Sequence, residues 1–361
     1  MSEEQMVAVT AHPEFLDAAL DELKNLDRQF SFVQLLAPGI ALCETPRTTT
    51  LARLAIEQRP IFARHLAPVQ VIVPISNSEQ DIGELAVAIA ELPTFALLER
   101  GHYFAVQTRM VQSEEQAIQR AYSGGTLNRL VAEAIAGESG ALENIKKPQI
   151  VVSLLCTASA AYAGISYVSE NLSDWPGGAR QFAQKPEQIS RAEFKLLEAL
   201  EVFGVELPAN GRALDLGAAP GGWTRLLLAA KMRVVAVDPA NLDPRLQRQA
   251  RLEHYHGNAE DYLAKASQGQ QRFDVIANDM RVDARDAARL LCEAANLLRS
   301  DGFVVSTLKL PHATATMQPV EIMRQALLTL RTRYAVVQAR QLYHNRQEVT
   351  VIAAKPLARR K

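Results

Sequence analysis

The run ALDLGAAPGGWT, residues 213–224, decides the fold. Ala213 to Asp215 belongs to a short apolar strand, and helical spacing resumes in GWTRLLLAA from about Gly221. Between them, Gly217, Pro220, Gly221 and Gly222 crowd six residues and allow neither a helix nor a strand. A tight loop leaving a buried strand and entering a helix is where an open α/β sheet binds its ligand. Glycine there lets the ligand approach the backbone closely.

The spacing is not G-x-G-x-x-G, and Pro220 removes an amide that a pyrophosphate would need, which argues against a dinucleotide. Such a loop suits the amino-acid end of S-adenosylmethionine, with the Asp215 carboxylate placed for its ammonium. Asp238 closes the next strand, where an acidic side chain can accept both ribose hydroxyls.

Working outward, strands and helices alternate from Ser190 to the C-terminus. SRAEFKLLEALEVFGV reads as a helix with Ser190 as N-cap and Glu193 at capping-box spacing. MRVVAVD, RLEHYHG, FDVIAND and GFVVSTLK are strands, with DAARLLCEAANLLRS helical between the last two and IMRQALLTLRTR helical after them. YAVVQARQLY and EVTVIAA close the domain as an antiparallel edge pair. Apolar strands between amphipathic helices imply a parallel sheet covered on both faces, a Rossmann-like class I methyltransferase layout over residues 190–361.

Upstream, the α/β units are short. MVAVTA, FSFVQLL, GIALCE and VQVIVPI as strands, with two helices, give a β-α-β-β-α-β ferredoxin-like unit over 1–75. In 76–168, DIGELAVAIAELP and SEEQAIQRAYSGGTLNRLVAEAIAG read as helices, the latter around a Gly124-Gly125 break. YFAVQTRM is a strand, and QIVVSLLCT with AAYAGISYV a hairpin. Residues 169–189, with Pro-Gly-Gly and Lys-Pro, read as a linker or an ordered crossing loop.

Composition bounds the rest. At 361 residues, 48% hydrophobic and 22% charged, the chain is an ordinary globular protein of two or three domains. The net charge of −1 excludes a uniformly basic nucleic-acid coat, yet it hides a gradient. Residues 1–180 hold 13 basic and 21 acidic side chains, a net of −8, and residues 181–361 hold 26 and 19, a net of +7. Cys43, Cys156 and Cys292 are too few and scattered for a disulfide framework or a zinc site. The N-terminus lacks the features of a signal peptide, and no run is long and apolar enough to span a membrane. A cytoplasmic protein is therefore expected.

GAAPGGW resembles the FtsJ-type RNA ribose 2′-O-methyltransferases, whose loop carries Ala-Pro-Gly-Gly-Trp. The family uses a Lys-Asp-Lys-Glu tetrad, and four residues match its motifs in order: Lys195 in SRAEFKL, Asp279 in ANDM, Lys309 in TLKLP and Glu348 in HNRQEVTV. NLSDWPGGARQF, LKLP and ARQLYHNRQEVTV narrow the likeness to bacterial members that act on a cytidine ribose in 23S rRNA. The resemblance covers roughly residues 165–355. It implies S-adenosylmethionine as donor, and 23S rRNA or a large-subunit precursor as RNA partner. By domain order alone it also implies a THUMP-like RNA-binding domain over 76–168. A monomer is expected.

The chemistry fits the residue types. A ribose hydroxyl needs a base, and a lysine becomes one when a neighbouring charge and burial lower its pKa from about 10.4. Lys309 is assigned as base, Lys195 as charge partner and hydroxyl positioner, and Asp279 and Glu348 as orienters, although their charges oppose that lowering. The donor-binding set is Ser190, Asp215, Gly217, Ala219, Pro220, Gly221, Gly222, Trp223, Asp238, Asn258 and Asp279. Asn258 stands where relatives place an aspartate on the adenine. Trp223 reads as packing the loop helix on the sheet in preference to stacking on a base, and no metal is expected.

Arg281, Arg285, Arg289, Arg331, Arg333 and Arg340 are candidates for RNA phosphates, together with the terminal ARRK, while the acidic half can offer only a local patch. Two rivals remain: the same chemistry on another RNA such as tRNA, or an idle RNA-binding assembly factor. Base methylation is disfavoured, since no catalytic cysteine and no Asn/Asp-Pro-Pro-Tyr motif is found.

Overall fold

The computed structural model describes residues 5–111, 118–314 and 317–358. The chain forms two compact units, Met1–Arg180 and Gln181–Lys361. Part of the expected helix 113–137 and the tail beyond Ala358 lie outside the described residues.

The first unit holds two sheets. β1 (Gln5–Thr10), α1 (Leu16–Leu26), β2 (Ser31–Ala37), β3 (Ile40–Thr45), α2 (Thr48–Gln58) and β4 (His65–Val69) build an antiparallel sheet of order β2-β3-β1-β4. β5 (Val71–Pro74), α3 (Gln80–Ala90), β6 (Tyr103–Met110), α4 (Gly124–Ser139), β7 (Leu142–Glu143), β8 (Ile150–Cys156) and β9 (Ala160–Tyr167) build a second, of order β5-β9-β8-β6-β7. Gly124 and Gly125 open α4 behind the Ser123 cap instead of breaking a longer helix, and residues 118–123 are not helical.

VQVIVPI is not one strand. It divides at Gln70, with β4 in the first sheet and β5 in the second. The cause is the Gln70 side chain, which accepts from Ile165 N at 2.8 Å and donates to Ile165 O at 3.2 Å, standing in for a ladder pair. Nearby, β9 crosses β4 so closely that a Cβ on Gly164 would lie 2.1 Å from Pro68 O. Backbone cannot yield as a flexible side chain can. Gly164→Ala should therefore cost about 2–3 kcal/mol, read as a loss of amide-exchange protection along β9 on the order of 100-fold. Unchanged protection would show that the crossing has slack.

Through Arg180, the stretch 169–189 is an ordered part of this unit. Leu66 N donates to Asn171 O at 3.1 Å, Thr10 Oγ1 to Gly177 O at 2.9 Å and Gln107 Nε2 to Asp174 O at 2.8 Å. Cys43 and Cys156 are buried free thiols that burial pushes up to about 12, whereas Cys292 is only partly buried.

The second unit is α5 (Glu193–Phe203), β10 (Arg212–Leu216), α6 (Gly222–Ala229), β11 (Arg233–Val237), β12 (Leu252–Tyr255), α7 (Ala259–Gln268), β13 (Phe273–Asn278), α8 (Ala284–Ala294), β14 (Leu298–Lys309), α9 (Pro319–Arg331), β15 (Tyr334–Arg340) and β16 (Glu348–Pro356). Its seven strands run in the order β12-β11-β10-β13-β14-β16-β15, parallel except for β16, which is antiparallel to both neighbours. This is the Rossmann-like methyltransferase layout expected from the alternation.

Periodicity explains the layers. Ala213, Leu214, Asp215 and Leu216 of the central β10 are all buried, as a strand covered on both faces requires. α8 turns Ala284, Ala287, Ala288, Leu291 and Ala294 inward at helical spacing, and the Asp283 side chain accepts from Arg285 N to cap it. The helix is shorter than expected: Leu298 already pairs with Phe273, so LRS belongs to β14. The chain passes from β10 to β11 on one side and reaches β13 on the other, so the ends of β10 and β13 flank the switch point where ligands bind.

Candidate active site

The tetrad is assembled at that edge. Asp279 follows β13, Lys309 ends β14, Glu348 starts β16 opposite Lys309 in register, and Lys195 comes from α5. Lys309 Nζ donates to Asp279 Oδ1 at 2.6 Å and to Glu348 Oε2, and Lys195 Nζ lies 2.6 Å from Glu348 Oε1 and 3.4 Å from Asp279 Oδ1. Two cations and two anions thus share one cluster in which every side chain is less than a quarter exposed.

The electrostatics refine the sequence expectation. For Asp279, burial would raise the pKa, but the Lys309 and Lys195 charges outweigh it and hold the carboxyl below its ordinary value. For Lys309, burial would lower the pKa, but Asp279 and Glu348 outweigh it and the net shift is upward. The expected lowering of Lys309 is therefore absent from the free chain, because two carboxylates accept directly from its ammonium. Thr307 was missed by sequence reasoning: it is 1% exposed, donates to Asp279 Oδ1 and accepts from Lys309 Nζ at 2.9 Å. The signal was available, since residues two apart on a strand face the same way.

The loop after β10 is tied to the end of β11. Gly217 N and Ala218 N donate to Val237 O at 2.9 and 3.2 Å, and Ala219 N donates to Asp238 Oδ2 at 3.0 Å. The Ala219-Pro220 peptide is cis, and Gly217 and Gly221 have φ of +71° and +110°. A Cβ on Gly217 would fall 2.4 Å from Met280 Cγ, so the loop also packs against the residue after Asp279. Gly221 precedes α6 and supplies no side-chain cap; Asp215 takes the Thr224 amide, and the Gly222 and Trp223 amides are those that suit an anionic group.

Two expected donor-site residues take other roles, and one expected helix cap is not made. Asp215 is 1% exposed and accepts from Thr224 Oγ1 at 2.5 Å, so it braces the loop helix from within. Burial pushes its carboxyl up to about 7, the Asp279 and Asp238 charges add to this, and the Thr224 hydroxyl opposes it. Trp223 is 3% exposed and donates to Ala192 O at 2.8 Å, packing the loop helix against α5. Ser190 does not cap α5, whose N-cap is Ala192. The Glu193 carboxylate accepts instead from Ile189 N at 2.8 Å and from Arg225.

The remaining residues fit a methyl donor of this class. Ser190 Oγ is buried without a hydrogen-bond partner, against the position that a Cβ on Gly222 would fill. Asp238 is partly buried at the end of β11 and holds Ala219 N and Ala240 N. Asn258 is exposed ahead of α7, and its side chain does not cap that helix.

Residues 188–331 match the model of the FtsJ-like methyltransferases. The chain carries an FtsJ-like methyltransferase domain. S-adenosylmethionine is the methyl donor of that family. The chain is 35% identical over 190 residues to ribosomal RNA large subunit methyltransferase M of Halorhodospira halophila, covering 51% of this chain and 52%, about half, of that one. It is 26% identical to the protein of the same name from Xylella fastidiosa over 86% of each chain. Among solved structures, TrmN from Thermus thermophilus aligns with a TM-score of 0.41, at 19% identity over 97% of this chain and 99% of that one.

The candidate arginines of the FtsJ-like domain divide by position. Arg281 is exposed in the loop after Asp279, Arg285 pairs with Asp283 at 2.9 Å near Lys309, and Arg289 pairs with Asp286 one turn further along α8. Arg340 ends β15 at the tetrad edge. Arg331 and Arg333 precede β15, at the end of the strand away from the tetrad, and Arg333 Nη2 donates to Asn296 Oδ1 at 2.8 Å. They do not belong to this site. His344 is held by the buried Glu198, which accepts from His344 Nδ1 at 2.7 Å and from Tyr343 N and His344 N, fixing the turn before Glu348. Among the described residues no helix is long and apolar enough to cross a membrane.

Proposed function

We propose that this chain transfers a methyl group from S-adenosylmethionine to the ribose 2′-hydroxyl of a cytidine in 23S rRNA. The observation that carries this reading is the joined cluster of Lys195, Asp279, Lys309 and Glu348 at the strand ends beside the glycine loop. An alcohol is a poor nucleophile at neutral pH, and a lysine held by two carboxylates is positioned to take its proton while the oxygen attacks. The bound donor supplies an electrophilic methyl on a sulfonium.

The α6 N-terminus and Ser190 would receive the carboxylate end of the donor, Asp238 the ribose hydroxyls and Asn258 the adenine. Lys195 orients the substrate hydroxyl, and Asp279 and Glu348 hold both amines. The names of the relatives support rRNA as the substrate. Residues 1–180, whose net charge of −8 excludes binding by bulk charge, add selectivity through a ferredoxin-like and a THUMP-like part.

The test is to incubate undermodified 23S rRNA and, separately, unmodified tRNA with labelled donor, and to map the methylated fragments by mass. One 2′-O-methylcytidine in 23S rRNA is expected. Label confined to tRNA, label on a base, or label retained when the target ribose is 2′-deoxy would each overturn the assignment.

A further inference from the structure

The two tetrad lysines are held differently. A protonated amine has three N–H bonds, and three acceptors surround Lys309 Nζ: Asp279 Oδ1 at 2.6 Å, Glu348 Oε2, and Thr307 Oγ1 at 2.9 Å. Lys195 Nζ meets Glu348 Oε1 at 2.6 Å and a longer contact, 3.4 Å, to Asp279 Oδ1. Lys309 therefore presents no N–H to an incoming hydroxyl unless one of its acceptors lets go. Bonds to charged acceptors are roughly twice as strong as neutral ones, so the bond to Thr307 is the one exchanged.

Thr307 is also the one partner that suits both protonation states. With Lys309 charged, its oxygen accepts from Nζ while its own proton goes to Asp279 Oδ1. With Lys309 neutral, the same hydroxyl can turn and donate to the nitrogen lone pair. A carboxylate can only accept. We propose that Thr307 is a positioning residue of the methyl transfer, holding the third site on Lys309 Nζ until the ribose hydroxyl takes its place. This rests on the ribose methyltransferase reading above.

The step balances as follows. Lys309 first loses a proton to solvent. As the ribose oxygen bonds to the methyl carbon, its proton passes to Nζ, the C–S bond breaks and its electron pair stays on sulfur. Lys309 returns to the ammonium and recovers Thr307 as acceptor.

Thr307→Val keeps the shape and removes the hydroxyl, while Thr307→Ser keeps the hydroxyl. In the full chain, Thr307→Val should lower kcat about 10- to 100-fold with KM for RNA and donor within about threefold. Thr307→Ser should stay near wild type. Both forms of the amine lose a partner in the valine variant, but the ammonium loses the stronger, charge-assisted bond, so the rising pH–rate limb should move to lower pH. A merely structural role would lower the melting temperature without moving that limb. Wild-type kcat and pH profile in Thr307→Val, or equal losses in both variants, would overturn the proposal.

A second measurement does not depend on activity. Competitive acetylation of Lys309 with acetic anhydride, read by mass spectrometry across pH, should show Lys309 losing its proton at lower pH in Thr307→Val than in wild type. An unchanged titration would overturn Thr307 as a partner of Nζ. Should the wild-type chain methylate no ribose, the functional reading fails while this titration still decides the contact.

Discussion

Lys309→Met should lower methyl transfer by about 10²- to 10⁴-fold, the range expected for removing a positioned base, with donor affinity within a few fold. Methionine keeps the aliphatic reach along β14 and removes the one group that contacts Asp279, Glu348 and Thr307 together. Lys195 remains to neutralise part of the carboxylate pair, so the variant should fold, although less stably, because two buried anions then share one cation. The wild-type pH dependence belongs to the same prediction. Asp279 and Glu348 hold Lys309 above its ordinary value, so below that pKa the neutral amine is the minor form and grows tenfold per pH unit. The single-turnover rate should therefore climb from about pH 6.5 to about 9.5, with no plateau near neutrality. Lys309→Met should lose that slope. A flat wild-type profile, or a variant within a few fold of wild type, would remove Lys309 as the base.

The second large effect is expected at the loop. Gly221 has φ of +110°, outside the range an L-residue readily adopts, and its Cβ would fall 2.3 Å from Leu246 Cδ1. Leu246 packs with Ala218, Ala236 and Leu242 under the loop, and Asp243 N donates to Pro220 O at 2.9 Å, so movement of the leucine disturbs the loop twice. Backbone strain of about 1–3 kcal/mol adds to overpacking of about 1–3 kcal/mol. Gly221→Ala should weaken S-adenosylmethionine binding on the order of 100-fold or more, measured by titration calorimetry on the full chain. Circular dichroism should show the rest of the sheet intact. Affinity within threefold of wild type would show that the loop conformation is not what holds the donor.

Much of this was legible because the second unit obeys simple periods. Apolar strands alternating with amphipathic helices fixed the parallel sheet, and each tetrad residue sits at a strand or helix end that its motif marks. The misreadings came from contacts that only the folded loop and sheet bring together. Asp215 looked like a ligand for the donor, but Thr224 turns it inward. Ser190 and Glu193 matched a capping box, but Arg225 claims the glutamate. The upward shift of Lys309 needs the register that sets Lys309 opposite Glu348, which no local pattern contains. Which of the candidate arginines lie near the tetrad depends on the direction of β15, which puts Arg340 at that end and Arg333 at the other, and sequence distance does not give that direction.

The division at Gln70 bears on how the N-terminal unit can be handled and on how it could have arisen. With one residue between β4 and β5, the two sheets have no separable boundary. A cut at residue 75 would carry the β5 edge strand away with the wrong fragment. The two halves are therefore expected to have been inherited, and to melt, as one piece, and fragments made to probe RNA selectivity should be divided near Arg180 instead.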